Sequence, residues 1–96
     1  MIVHIVMFKC KEENKKKNIV KVAHALNGLL QKIDTLKSIE VGVDFNQSER
    51  AFDISLYSTF DSKEDLKSYA VHPAHIEVVA LIKSVTSESK VVDYTI

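Results

Sequence analysis

Two imidazoles and a phenol lie within seven residues of each other in Tyr69-Ala70-Val71-His72-Pro73-Ala74-His75. Imidazole exchanges a proton near neutral pH, and a phenol can donate a hydrogen bond to a substrate oxygen, so these types at this spacing suit acid–base chemistry. The same stretch admits a structural reading, with His72 supporting the turn before Pro73 and His75 capping or packing the helix that follows. His4 sits mid-strand amid apolar neighbours, where a histidine is most often a hydrogen-bonded core residue. Asp93 lies in a terminal strand, on the opposite face from Val92, Tyr94 and Ile96. Turned inward, its carboxylate needs a partner, and an imidazole held at one ring nitrogen would keep the other free as a base. Turned outward, it is an ordinary residue of an edge strand.

Other chemistries find less support. His72-x-x-His75 offers two metal-ligand types, but proline interrupts the helix and no carboxylate completes a site, so no metal is expected. His24 belongs to the solvent side of the first helix and is assigned no role. With 2 Gly in the chain there is no loop to cradle phosphates, which excludes the usual nucleotide chemistry and any large cofactor within one subunit. Cys10, the single cysteine, stands between Lys9 and Lys11, which would favour its thiolate. No nucleophilic constellation surrounds it, and it reads as a surface cysteine in a reducing compartment.

Positioning those groups falls to a short chain. Its 96 residues carry 13 basic and 13 acidic side chains, 46% hydrophobic residues and 27% charged ones, the make-up of a single small domain spanning residues 1–96. The longest uncharged apolar run, Val78 to Ile82, is five residues, far below the roughly 20 of a membrane span. Met1 leads directly into a strand without a secretory pattern, so a cytoplasmic location is expected. Balanced charge argues against a general nucleic-acid binder, and Lys15-Lys16-Lys17 after Glu12 and Glu13 reads as a solvated helix start matched to its dipole.

Periodicity then gives the elements. Ile2 to Phe8 is apolar on both faces, with Ile2, His4, Val6 and Phe8 opposite Val3, Ile5 and Met7. Glu13 to Ile33 is helical, its stripe Ile19, Val22, Leu26, Leu29 and Ile33 weakened at Asn27-Gly28 by about 1 kcal/mol. Leu36 to Phe45 alternates as a strand with Ile39, Val41, Val43 and Phe45 on one face. Asn46 to Arg50 is a hairpin loop, and a strand follows from Ala51 to Phe60. Asp61 and Ser62 are N-caps for a helix to Val71, and Pro73 opens a second one, Ala74 to Val85, with Ile76, Val79 and Ala80 on one face. Ser87 to Ser89 is a break before a last strand, Val91 to Ile96.

The order β-α-β-β-α-α-β predicts an α+β, ferredoxin-like fold: a four-stranded antiparallel sheet with helices on one face. Helices cover only one face, yet the first strand is apolar on two. A second copy packed sheet to sheet is the economical cover, predicting a homodimer that closes an α/β barrel.

Met1-Ile-Val-His4-Ile-Val-Met-Phe-Lys9, Ser58-Thr-Phe-Asp-Ser62, Tyr69-x-x-His-Pro-x-His75 and Val92-Asp-Tyr94 together resemble the stress-responsive dimeric α/β-barrel (Dabb) family, from Met1 to Ile96. The family includes a plant polyketide cyclase that makes olivetolic acid from a linear tetraketide thioester. That resemblance implies His75 as the base removing a proton between two carbonyls, with Asp93 orienting it. Tyr69 would hydrogen-bond the oxygen where enolate charge develops, and His4 would line the pocket. His72, Val6, Phe8, Ile54 and Leu56 would form the rest of the wall, Ile54 replacing a pocket histidine of the cyclase. No metal or cofactor is implied, and the ligand would be a small hydrophobic carbonyl compound. A ligand-binding or stress-protective dimer without turnover is the alternative, and the fold also hosts cofactor-free monooxygenases and haem-handling proteins.

Overall fold

A computed structural model describes all 96 residues. The chain runs β1 (Ile2–Cys10), α1 (Lys15–Asn27), a 3₁₀ turn (Gly28–Gln31), β2 (Ser38–Val43), β3 (Ile54–Phe60), α2 (Lys63–Val71), α3 (Pro73–Val85) and β4 (Thr86–Thr95). The strands form one antiparallel sheet in the order β2-β3-β1-β4, the ferredoxin-like arrangement.

Helix limits follow from local chemistry. Ser62 accepts the Asp65 N–H at 3.1 Å and opens α2, with Glu64 and Asp65 in the favourable first turn. Pro73 occupies the first turn of α3, where its missing N–H costs nothing. At Gly28 the first helix tightens into the 3₁₀ turn, yet the stripe persists: Val22, Leu26, Leu29 and Ile33 are all buried. The start of α1 differs from expectation. Glu12 and Glu13 precede the helix, and Asn14 caps it in a left-handed conformation without a side-chain bond. The expected dipole match is absent; Lys15 instead bridges Glu12 and Asp53, at 3.4 and 3.3 Å.

The main core cluster lies on one side of the sheet; Val3 is buried on the other. Ile2, Val6 and Phe8 of β1 pack with Ile54, Leu56 and Phe60 of β3 beneath α1, α2 and α3. On α3 the buried face is Val78 and Ile82, with Ala74 and Val85 beside them, not Ile76 and Ala80, which are exposed. The run Val78–Ile82 is apolar all round, so its pattern could not select the face. Phe45 does not extend β2 inward; it stands almost wholly exposed in the hairpin. No break separates α3 from β4, because Ser89 and Glu88 continue the pairing with β1 and Thr86 resumes it opposite Cys10 after a register shift at Lys9/Cys10. Cys10 is buried, not superficial. Burial first, and then the Asp53 carboxylate, push its thiol pKa up, with Lys15 opposing. Cys10 N–H donates to Asp53 Oδ2 at 2.7 Å.

The opposite face of the sheet carries Ile5 and Met7 of β1, Tyr57 of β3, and Val92 and Tyr94 of β4. Met7, Tyr57, Val92 and Tyr94 are each 36–58% exposed. No helix is long and apolar enough to cross a membrane.

Candidate functional site

The antiparallel register places His4 between Ser58 of β3 and Asp93 of β4. Ser58 is buried and its hydroxyl donates to the His4 carbonyl at 3.0 Å, which ties the middle of β1 to its neighbour. Directly across the other edge, His4 Nδ1 and Asp93 Oδ1 form a hydrogen-bonded pair. A carboxylate only accepts, so Nδ1 carries the proton and the His4 ring is held in one tautomer. This corrects the expected pairing: Asp93 orients His4, not His75. The physical reason is register, since cross-strand neighbours on one face meet side chain to side chain.

Tyr69, on the inner face of α2, is 1% exposed. Its ring stacks against Phe60 at 5.0 Å and His75 at 4.3 Å, with His4 at 6.2 Å. The hydroxyl is buried without a hydrogen-bond partner, and desolvation pushes its pKa up to about 12. It remains a neutral donor throughout the physiological range. Leaving such a group unpaired costs about 1–3 kcal/mol, which an acceptor brought by a ligand would recover.

His75 lies in the first turn of α3, and its Nδ1 donates to the Ala70 carbonyl at 3.0 Å. That carbonyl can only accept, so Nε2 is the nitrogen left with a lone pair. Burial lowers the His75 pKa; the Ala70 bond opposes this, and the neighbouring His4 and His72 add to it. Neutral imidazole, the base form, is therefore favoured.

These three rings converge on one cavity of about 210 Å³ between β1, β3 and α3. Val6, Phe8 and Leu56 contribute to its wall, joined by Leu26, Val78 and Ile82. Two expected wall residues lie elsewhere. Ile54 is buried in the core outside the cavity lining, two residues along β3 from Leu56. His72 also does not line it: its Nδ1 accepts the Ala74 N–H at 3.0 Å and caps α3. Asp93 touches the site only through His4. Sequence reading missed Lys83, Thr86 and Ser89, which line the same cavity beyond Ile82. No periodic signal marked them: Lys83 falls eight residues after His75, about 80° round the helix from it. No group of three or more His, Cys, Asp or Glu side chains is placed to hold a metal ion.

The model of the stress responsive A/B barrel domain family matches residues 2–96. Two curated relatives, both named as stress-response A/B barrel domain-containing proteins, come from Arabidopsis thaliana. The first is 38% identical over 79 residues, a match covering 82% of this chain and 30% of that protein. The chain thus spans about a third of that relative's length. The second, At5g22580, is 30% identical over 96 residues, covering 97% of this chain and 84% of its own length. Among solved structures, a dimeric protein of unknown function and ferredoxin-like fold from Bacteroides fragilis superposes with a TM-score of 0.90 at 33% identity, covering 99% and 95% of the two chains. The hydroxynitrile lyase from Passiflora edulis shares the fold, with a TM-score of 0.87 at 23% identity over 99% of this chain and 92% of that one.

Proposed function

The chain belongs to the stress-responsive A/B barrel (Dabb) domain family, and from that premise we propose that it binds a small hydrophobic carbonyl or hydroxy compound and catalyses a proton transfer on it, with His75 as base. The observation that carries this reading is the unpartnered Tyr69 hydroxyl beside His75, in the wall of an apolar cavity. A substrate oxygen accepting from Tyr69 would place the adjoining acidic proton near His75 Nε2. The phenol would then hold the oxygen as negative charge develops on it. His4, fixed by Asp93, would line the pocket as a second polar contact. The cavity volume suits a small ligand, since pockets for drug-sized molecules start at about 300 Å³. That one structural neighbour is named a hydroxynitrile lyase supports enzymatic use of this fold on small molecules.

The reading includes a homodimer joined through the helix-free sheet face. Its four part-exposed apolar side chains and the dimeric state of the Bacteroides fragilis neighbour support it.

Turnover of small β-keto thioesters and hydroxynitriles by the wild type, His75→Ala and Tyr69→Phe tests the reaction. His75→Ala should lose about 10²–10⁴-fold in kcat/KM and Tyr69→Phe about 10²–10³-fold, both with unchanged circular dichroism. Equal rates for the wild type and His75→Ala would overturn the proposal.

A further inference from the structure

The cavity has two chemically different ends. At one end stand His4, Tyr69 and His75; at the other stand Lys83, Thr86 and Ser89. Eight residues of α3 separate His75 from Lys83, about 12 Å along the helix axis. The opposing strand agrees, because four residues of β1 from His4 to Phe8 span about 13 Å. Ser89 marks the far end independently, since it pairs directly across from Phe8. Between the ends the wall is apolar, formed by Val6, Leu56, Val78 and Ile82.

The far end is also the wet one. Lys83 and Ser89 are exposed, whereas Tyr69 is buried. Thr86 Oγ1 already donates to the Ile82 carbonyl at 2.8 Å, so its proton is committed. Lys83 makes no ion pair within the chain and the Ser89 hydroxyl makes no hydrogen bond within it, leaving one ammonium and one hydroxyl free there. One unpaired cation suits one negative charge.

We infer that the cavity selects an elongated amphipathic monocarboxylate: an oxygen function at Tyr69 and His75, an unbranched apolar middle, and a carboxylate at Lys83. The inference rests on reading Tyr69 and His75 as the reactive end, and it names the substrate class of that site. Lys83 is here a specificity residue, touching the ligand far from the reacting atoms. An aqueous-facing ammonium adds modest affinity, and salt screens it.

Calorimetric binding of 8-oxononanoate and of 2-nonanone, its neutral counterpart of the same chain length, tests this directly. The wild type should bind the carboxylate about 3–10-fold more tightly, with the gap shrinking as salt is added. Lys83→Met, which keeps a good helix former and the aliphatic stem, should close the gap. Equal affinity of the two probes for the wild type, a gap unchanged in Lys83→Met, or binding of neither probe overturns the inference. His75→Ala separates it from the reaction proposed above. A preserved carboxylate preference alongside absent wild-type turnover would end the catalytic reading alone, and turnover without the preference would end this one alone.

Discussion

The two faces of the sheet begin from similar strand residues and meet different fates. On the helix side, Ile2, Val6 and Phe8 are less than 10% exposed and pack with Leu56 and Phe60. On the other side of the same strand, Met7 is 41% exposed, with Val92 at 58% and Tyr94 at 40% beside it. The exceptions on that face are Val3 at 0% and its partner Thr59 at 6%, so the crossover helices decide the burial of most strand residues but not of all. The candidate site of His4, Tyr69 and His75 sits on the covered side, where low dielectric strengthens hydrogen bonds and shifts pKa values. The bare side carries exposed apolar residues of the kind that mark an interface, flanked by polar ones such as Lys90 and Glu40.

Breaking the covered side should cost the most. Phe60 is fully buried and stacks on Tyr69. Phe60→Ala should destabilise the fold by about 3–5 kcal/mol in urea unfolding. A loss below about 1 kcal/mol would mean that the face is loosely packed and that the cavity wall has no fixed shape.

The bare side should respond in the opposite way. Val92→Asp should weaken self-association by about 2–5 kcal/mol, through an uncompensated charge in the sheet-to-sheet contact. The monomer's own unfolding free energy should change by less than about 0.5 kcal/mol, as for an exposed site. Sedimentation across a concentration series measures the first, and urea unfolding at dilution measures the second. A variant that self-associates like the wild type would remove the sheet face from the dimer.

How legible each side was in the sequence follows from the range of the forces involved. Local signals carried over: alternation in β1, the weak point at Asn27-Gly28, the Ser62 cap and the helix opening at Pro73. So did the convergence of His4, Tyr69 and His75, though only through the resemblance of their motif to a family pattern. Long-range choices did not carry over. Asp93 meets His4 across 89 residues of chain because β4 pairs with β1 in one register, and no local pattern encodes that register. Cys10 looked superficial between two lysines, yet alternation turns it to the covered face and β4 closes over it. Ser87 to Ser89 looked like a break because an edge strand needs no apolar residues to pair. Lys83 escaped notice because its significance is purely spatial: it ends a cavity that begins at His75.

The subtlest contrast between the faces is electrostatic, and His75 reports it. Its side chain is lodged among the groups of the covered face, and burial is the main cause of its lowered pKa. In the unfolded chain the same imidazole titrates near 6.5. As pH falls, the unfolded state therefore takes up this proton first. His75 contributes stability that is fully present above about pH 6.5 and is lost as pH falls through its lower folded value. His75→Gln cannot take up that proton, so its stability should fall less steeply on acidification. The comparison is a pair of urea-unfolding series from neutral to mildly acidic pH. Curves that converge below about pH 6.5 fit an imidazole held neutral by burial. Curves that stay parallel would mean that His75 is solvated like a surface residue, and that it has no more environment to act in than the side chains of the bare face.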